Sequence, residues 1–113
     1  MDIISRVVNN NSKGIRFSVQ DQKSQELGRA YLYVMYNDLH DQPFALIEDV
    51  YINEKVRGRG LGKNLIKSMI NVAKRENCYK IIATSRYSKS KVHKFYLFLG
   101  FADYGKEFRL DLD

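Results

Sequence analysis

The sequence predicts a mixed α/β fold in a single domain spanning residues 1–113, and three observations carry that prediction. Short β-prone runs rich in aromatic and branched residues fill the chain as far as Ile52. From Leu61 the apolar residues instead recur every fourth position, the period of a helix. The chain then returns to one more β-prone run and a second helical stripe. Several strands followed by helix, strand, helix and strand describe neither a bundle nor a barrel. No repeat, low-complexity tract or linker divides the 113 residues, a length typical of one domain.

The elements follow in order. Ile3–Val8 is a short apolar run and the first strand candidate, and NNNSKG at 9–14 reads as a turn. Ile15–Val19 (IRFSV) alternates as a half-buried strand, and Leu27–Tyr36 (LGRAYLYVMY) is long, aromatic and β-prone. NDLHDQP is a loop, because Pro43 bars a helix there, and Phe44–Ile52 (FALIEDVYI) is a third strand. Leu61, Leu65, Met69 and Ala73, with Ile66 and Ile70 beside them, predict an amphipathic helix over 61–76. Tyr79–Thr84 (YKIIAT) is a strand. Ser88 or Ser90 is placed to cap the next helix, whose stripe is Val92, Phe95, Tyr96 and Leu99. Gly100 suits its left-handed stop, Phe101 is the apolar residue past the cap, and FRLDL is a final strand candidate.

Composition narrows the function. A 44% hydrophobic and 28% charged chain is that of an ordinary globular protein. One cysteine, Cys78, forms no internal disulfide and reads as a small core residue. No stretch approaches the ~18 apolar residues of a membrane span, and the start shows no cleavage signature, so no membrane partner and a cytoplasmic location are expected. The histidines and Cys78 lack the spacing of a ligand set, which predicts no metal. Charge is the informative quantity. Residues 55–94 hold twelve Lys/Arg against Glu76 alone, a net +11, while the rest of the +6 chain nets −5. Most of these lysines individually read as solvated helix faces, yet this one segment carries all the positive charge that a polyanion would see, the candidates being nucleic acid, an anionic membrane or a phosphate-rich cofactor.

The segment opens with RGRGLGK at 57–63, between a strand and a helix. It is not a P-loop, since Arg57 stands where the first glycine belongs and Asn64 where Ser or Thr belongs. It is not the dinucleotide fingerprint either, because Lys63 and Leu65 occupy the third glycine's place in the two registers that start at Gly58 and Gly60. The physics survives both failures. The first amides of a helix have no intrahelical partner and the helix dipole favours an anion beside them. Glycines admit a diphosphate to the backbone, and Arg57, Arg59 and Lys63 supply charge.

R57-G58-R59-G60-L61-G62 resembles the R/Q-x-x-G-x-G/A pattern of the GNAT superfamily of acyl-CoA-dependent N-acyltransferases. IEDVYINEKV resembles that family's central strand, and VHKFYLFLGF its distal A-h-x-F-Y-x-x-L-G-F segment. The three follow in the family's order over about half of the chain, from Phe44 to Phe101. The resemblance implies a mixed, largely antiparallel central sheet flanked by helices and an acetyl-CoA-dependent N-acetyltransferase acting on a primary amine. It implies that the diphosphate of acetyl-CoA rests on residues 57–62, with Arg57, Gly58, Arg59, Gly60, Gly62 and Lys63 in contact. The pantetheine arm would pair with the backbone at Val50 and Ile52, in a gap between this strand and the one at 79–84. Tyr96 matches the tyrosine that gives a proton to the departing thiolate, although its place in the apolar stripe also suits a packed ring. Glu48 matches the general base, with Asp49 as its alternative and a structural ion pair as the plain reading. His93 stands beside the Phe-Tyr pair and reads as a solvent-facing helical residue; His40 has no evident partner.

Relatives usually place two helices between their first two strands, where this chain has only NNNSKG. An open acceptor site suited to a peptide or protein amine is one consequence. A homodimer in which the second subunit supplies the wall, through the tyrosine-rich YLYVMY strand, is the other. Two further functions compete: a non-catalytic acyl-CoA-binding relative, and a nucleic-acid module using the basic segment with Tyr79, Tyr87 and Phe95, which ranks below the cofactor reading.

Overall fold

The computed structural model describes residues 1–8 and 10–113. These fall into two compact units, Met1–Ala83 and Thr84–Asp113. The first unit contains β1 (Lys13–Gln20), β2 (Glu26–Met35), β3 (Phe44–Ile52), α1 (Leu61–Arg75) and β4 (Ile81–Ala83), with a 3-10 turn at Glu54–Val56 ahead of α1. The sheet order is β1-β2-β3-β4. β1–β2 and β2–β3 pair antiparallel and β3–β4 parallel, so the sheet is mixed and largely antiparallel as expected.

One face of the sheet and one stripe of α1 build the core. Ala30, Leu32 and Val34 of β2 and Ala45 and Ile47 of β3 are buried, alternating along their strands as a period of two demands. Leu65, Ile66, Met69 and Ala73 of α1 are buried with them, and α1 contacts β1, β2 and β3. Each large side chain so buried contributes about 1.5–3 kcal/mol. β1 presents the half-buried Ile15, Phe17 and Val19 at positions level with the buried residues of β2. The opposite face carries Tyr31 and Tyr33, whose rings stack with centroids 6.2 Å apart. Arg16 reaches across the same hairpin to Glu26 with a two-pronged contact at 2.6 and 3.1 Å. That guanidinium, aided by the Ser18 hydroxyl, holds the Glu26 carboxyl down at about 2.

α1 ends on a left-handed residue that the sequence reading overlooked. Asn77 has φ of 63°, its N–H donates to Lys74 O, and the Cys78 N–H donates to Ala73 O, both at 3.0 Å. This is the paired closure in which two amides past the helix end satisfy its last carbonyls. The second unit holds α2 (Ser90–Phe98), which closes in the same way on the predicted glycine. Gly100, at φ of 98°, donates to Leu97 O, and Phe101 donates to Tyr96 O, both at 3.0 Å.

The structure corrects four local expectations. Ile3–Val8 forms no strand; Ile3, Ile4 and Val7 are exposed and pair with nothing in the sheet. FRLDL also remains irregular, with Phe108, Leu110 and Leu112 exposed. Apolar alternation is a property of the chain, whereas a strand needs an edge to pair with. The strand expected over 79–84 is shorter, Ile81–Ala83, because the Tyr79 N–H bonds Pro43 O rather than continuing the ladder. Neither Ser88 nor Ser90 caps α2: Lys89 is its first boundary residue and no side chain caps it. Of the turn predicted at 9–14, Asn9 lies outside the described residues, and Lys13 and Gly14 already belong to β1.

Candidate functional site

The site in the first unit grows from an irregularity in β3. Residues 44–48 pair with β2 in one register, Ile47 opposite Leu32 and Glu48 opposite Tyr31. Past the irregularity the register changes, with Tyr51 opposite Arg29 and Ile52 opposite Gly28. Asp49 and Val50 together therefore face the single residue Ala30, which defines a β-bulge. Asp49 takes the left-handed conformation, φ 53°, that an aspartate tolerates better than a branched residue. Its carbonyl accepts a hydrogen bond from Arg29 Nη1.

The bulge has two effects. It puts Glu48 and Tyr51 on the face away from α1 while Ile47 and Ile52 share the α1 face, although five positions separate the two isoleucines. It also coincides with the parting of β3 and β4. Their pairing runs only from Ala45 to Ile47, and β4 ends at Ala83. The residues 48–52 of β3, Val50 and Ile52 among them, thus extend beyond the last β4 partner.

β3 then leads through the 3-10 turn, capped by Asn53 Oδ1 accepting from Lys55 N–H, into residues 57–60. Gly58 and Gly60 have φ of 83° and 78°, so the loop needs residues without a Cβ penalty at both points. Among the described residues, no atom beyond the chain neighbours lies within 4 Å of where a Cβ would stand on either glycine, so there is open space at both. Gly60 caps α1, and the helical ladder begins with the Asn64 N–H donating to Gly60 O at 3.1 Å. The amides ahead of Asn64 lie upstream of that ladder and at the positive end of α1. Gly62 and Lys63 sit in this first turn, and Arg59 makes no hydrogen bond or ion pair with a described residue. Arg57 is placed otherwise: its Nε donates to Ile52 O at 2.9 Å.

Glu48 is half-buried on β3, and Asp49 is exposed at the bulge. In the second unit Tyr96 lies between two aromatic neighbours, with Phe95 at 5.5 Å and Phe101 at 5.1 Å between ring centroids. Burial pushes its phenol above the usual range, so it holds its proton firmly. His93 is not a freely solvated residue, because its Nε2 lies 2.8 Å from Arg86 O, which also accepts the Lys89 N–H. His40 packs against the Tyr79 ring, 5.2 Å between centroids. The Cys78 thiol is pushed up by burial, away from the reactive thiolate form. Among the described residues no group of three or more His, Cys, Asp or Glu is arranged to hold a metal ion.

Sequence reasoning located the loop and its glycines and missed the bulge with its Arg29 partner. The signal was present: Ile47 and Ile52 cannot share a face of a regular strand, since their spacing is odd. Two shallow grooves between β1 and α1, lined by Phe17, Asn64, Ser68 and Arg75 among others, do not include the loop glycines.

The chain is similar to known proteins both in fold and in sequence. A crystal structure of an acetyltransferase from Trypanosoma brucei superposes with a TM-score of 0.81 at 31% identity, covering 88% of this chain and 69% of that one. The glucosamine-6-phosphate N-acetyltransferase of Arabidopsis thaliana superposes at 0.78 with 22% identity, covering 88% and 67%, which speaks to fold alone. In sequence, a glucosamine 6-phosphate N-acetyltransferase of Trypanosoma brucei brucei is 41% identical over 66 residues, 58% of this chain and 43% of the relative. The chain thus matches less than half the length of that curated relative. The profile of the acetyltransferase (GNAT) family matches residues 15–101, from β1 to the third residue past α2, and the chain belongs to that family.

Proposed function

We propose that this protein transfers an acetyl group from acetyl-CoA to a primary amine. The observation that carries the reading is a single constellation: β3 freed of β4 beyond Ile47, followed by left-handed Gly58 and Gly60 opening α1. The open space at both glycines fits a diphosphate on the amides of residues 57–62, with Arg59 and Lys63 adding charge. The freed edge at Val50 and Ile52 offers backbone groups to an extended amide-bearing arm, as an added strand does. When bound, acetyl-CoA supplies an acyl group activated as a thioester.

Glu48, or Asp49 in its place, takes a proton from the ammonium form of the acceptor, directly or through water, so that the nitrogen lone pair can attack the acyl carbon. A C–N bond forms, the C–S bond breaks, and the nitrogen gives its second proton to solvent as it becomes an amide. Tyr96 gives its phenolic proton to the sulfur as it leaves and regains one from solvent. The phenol is protonated at neutral pH, as a donor must be.

The relatives' names make glucosamine 6-phosphate the first acceptor to try. Release of free CoA thiol is to be followed with glucosamine 6-phosphate, unphosphorylated glucosamine and lysine-containing peptides. Amine-dependent release is expected with at least one of these classes. Tight CoA binding without thiol release from any amine would instead identify a non-catalytic acyl-CoA-binding protein.

A further inference from the structure

Two arginines converge on one aromatic ring just past the bulge. The guanidinium carbon of Arg29 lies 5.5 Å from the Tyr51 ring centroid, and that of Arg57 lies 5.9 Å from it. Each guanidinium is also tied to a carbonyl of β3 on one side of Tyr51. Arg29 Nη1 donates to Asp49 O, and Arg57 Nε donates to Ile52 O at 2.9 Å. Arg29 therefore secures the left-handed residue of the bulge, and Arg57 secures the segment that turns toward Gly58.

We infer that Arg29, Tyr51 and Arg57 form a clamp that fixes the bulge and the turn at 57–60 as one unit, making Arg57 a positioning residue for the anion site and not a charge donor to it. The inference rests on the acetyl-CoA reading for the nature of the anion but not for the clamp itself. The chemistry of the three groups supports it. A planar guanidinium can stack on a ring and donate along its edge at once, which an ammonium cannot do with the same geometry. Tyr51 is 44% exposed, so its ring is not needed to fill the core. Arg59, with no ion pair to a described residue, is left as the arginine that meets the anion by charge.

The test compares Tyr51→Phe, Tyr51→Leu, Arg57→Lys and Arg59→Ala by CoA titration at several salt concentrations. Amide hydrogen exchange of the ligand-free proteins over residues 49–62 accompanies it. Loss of the ring under both guanidiniums in Tyr51→Leu, and of the planar stack and edge contact of Arg57 in Arg57→Lys, is expected to weaken CoA about tenfold or more in each. Both should speed exchange at 58–62 and leave the salt dependence of CoA binding as in the wild type. Tyr51→Phe keeps the ring face and should match the wild type in every readout. Arg59→Ala should flatten the salt dependence without changing exchange. The clamp is overturned if Arg57→Lys retains wild-type affinity and exchange, or if Tyr51→Leu leaves exchange at 58–62 unchanged. Failure of the wild type to bind CoA, with exchange still faster in the two clamp variants, sinks the acetyl-CoA reading and leaves the clamp standing.

Discussion

At the scale of single residues, Gly60 separates backbone strain from ligand exclusion. Among the described residues nothing would meet a Cβ there, so Gly60→Ala carries only the cost of placing an L-residue at φ of 78°, about 1–2 kcal/mol. Gly60→Asp carries the same strain and adds a carboxylate where the diphosphate is proposed to lie. The expected outcome is similar urea midpoints for the two variants, with CoA binding weakened in the first and lost in the second. Equal CoA affinities would remove the anion from this turn. Tyr96 makes a prediction in pH. Its pKa is raised by burial, so the folded protein holds the phenolic proton more tightly than the unfolded chain does. Any contribution to stability is thus fully present below the ordinary tyrosine value of about 10 and lost as pH rises through the higher folded value. Tyr96→Phe should abolish that alkaline loss, seen as a flatter dependence of the urea midpoint on pH above 10. The same variant should lower turnover far more than CoA affinity; unchanged turnover would rule out the general-acid role.

At the scale of elements, the helix ends show most plainly what a sequence can state. Gly100 was legible as a stop because a residue without Cβ is the usual occupant of a left-handed position. Asn77 occupies the equivalent position after α1 and was hidden, because asparagine also occurs in loops, caps and turns of other kinds. Asn77→Ala should cost roughly 1 kcal/mol from the left-handed backbone alone. Its side chain and carbonyl also accept from Gln42 Nε2, at 3.2 and 3.1 Å. Asn77→Gly loses the same side-chain acceptor as Asn77→Ala but relieves the backbone, so chemical denaturation should place it above Asn77→Ala. The reverse order would mean that the left-handed position does not govern this helix end. Strand legibility divides on the same principle. Phe44–Ile52 was read to its true limits, and alternation and burial coincide over its first five residues, Phe44 to Glu48. FRLDL alternates equally well and forms no strand, because alternation does not reveal whether an edge is available. The candidate site was legible where it depends on glycine, at 58 and 60, and illegible at the bulge, where Asp49 adopts a conformation its residue type only occasionally requires.

For the whole molecule, the uneven charge decides which polyanion the chain should prefer. The +11 segment begins at the 3-10 turn, two residues before Arg57, and contains the loop and all of α1. A nucleic-acid surface spreads its contacts over many phosphates and loses affinity steeply with salt. A helix N-terminus with two left-handed glycines instead offers oriented amides to one compact anion, and only its arginine and lysine contribution is screened. CoA at a hundredfold excess over its Kd should therefore raise stability by about 2.7 kcal/mol. In a chain near this size, that corresponds to a rise in Tm of roughly 10–20 °C. The rise should persist in moderate salt, be absent in Gly60→Asp, and exceed any rise produced by a short oligonucleotide at equal phosphate concentration. A shift given by the oligonucleotide and not by CoA would make the basic segment a nucleic-acid surface. A CoA shift that vanishes in moderate salt would place the affinity in side-chain charge, contrary to a site built on backbone amides and on the geometry that β3 and the glycine turn impose.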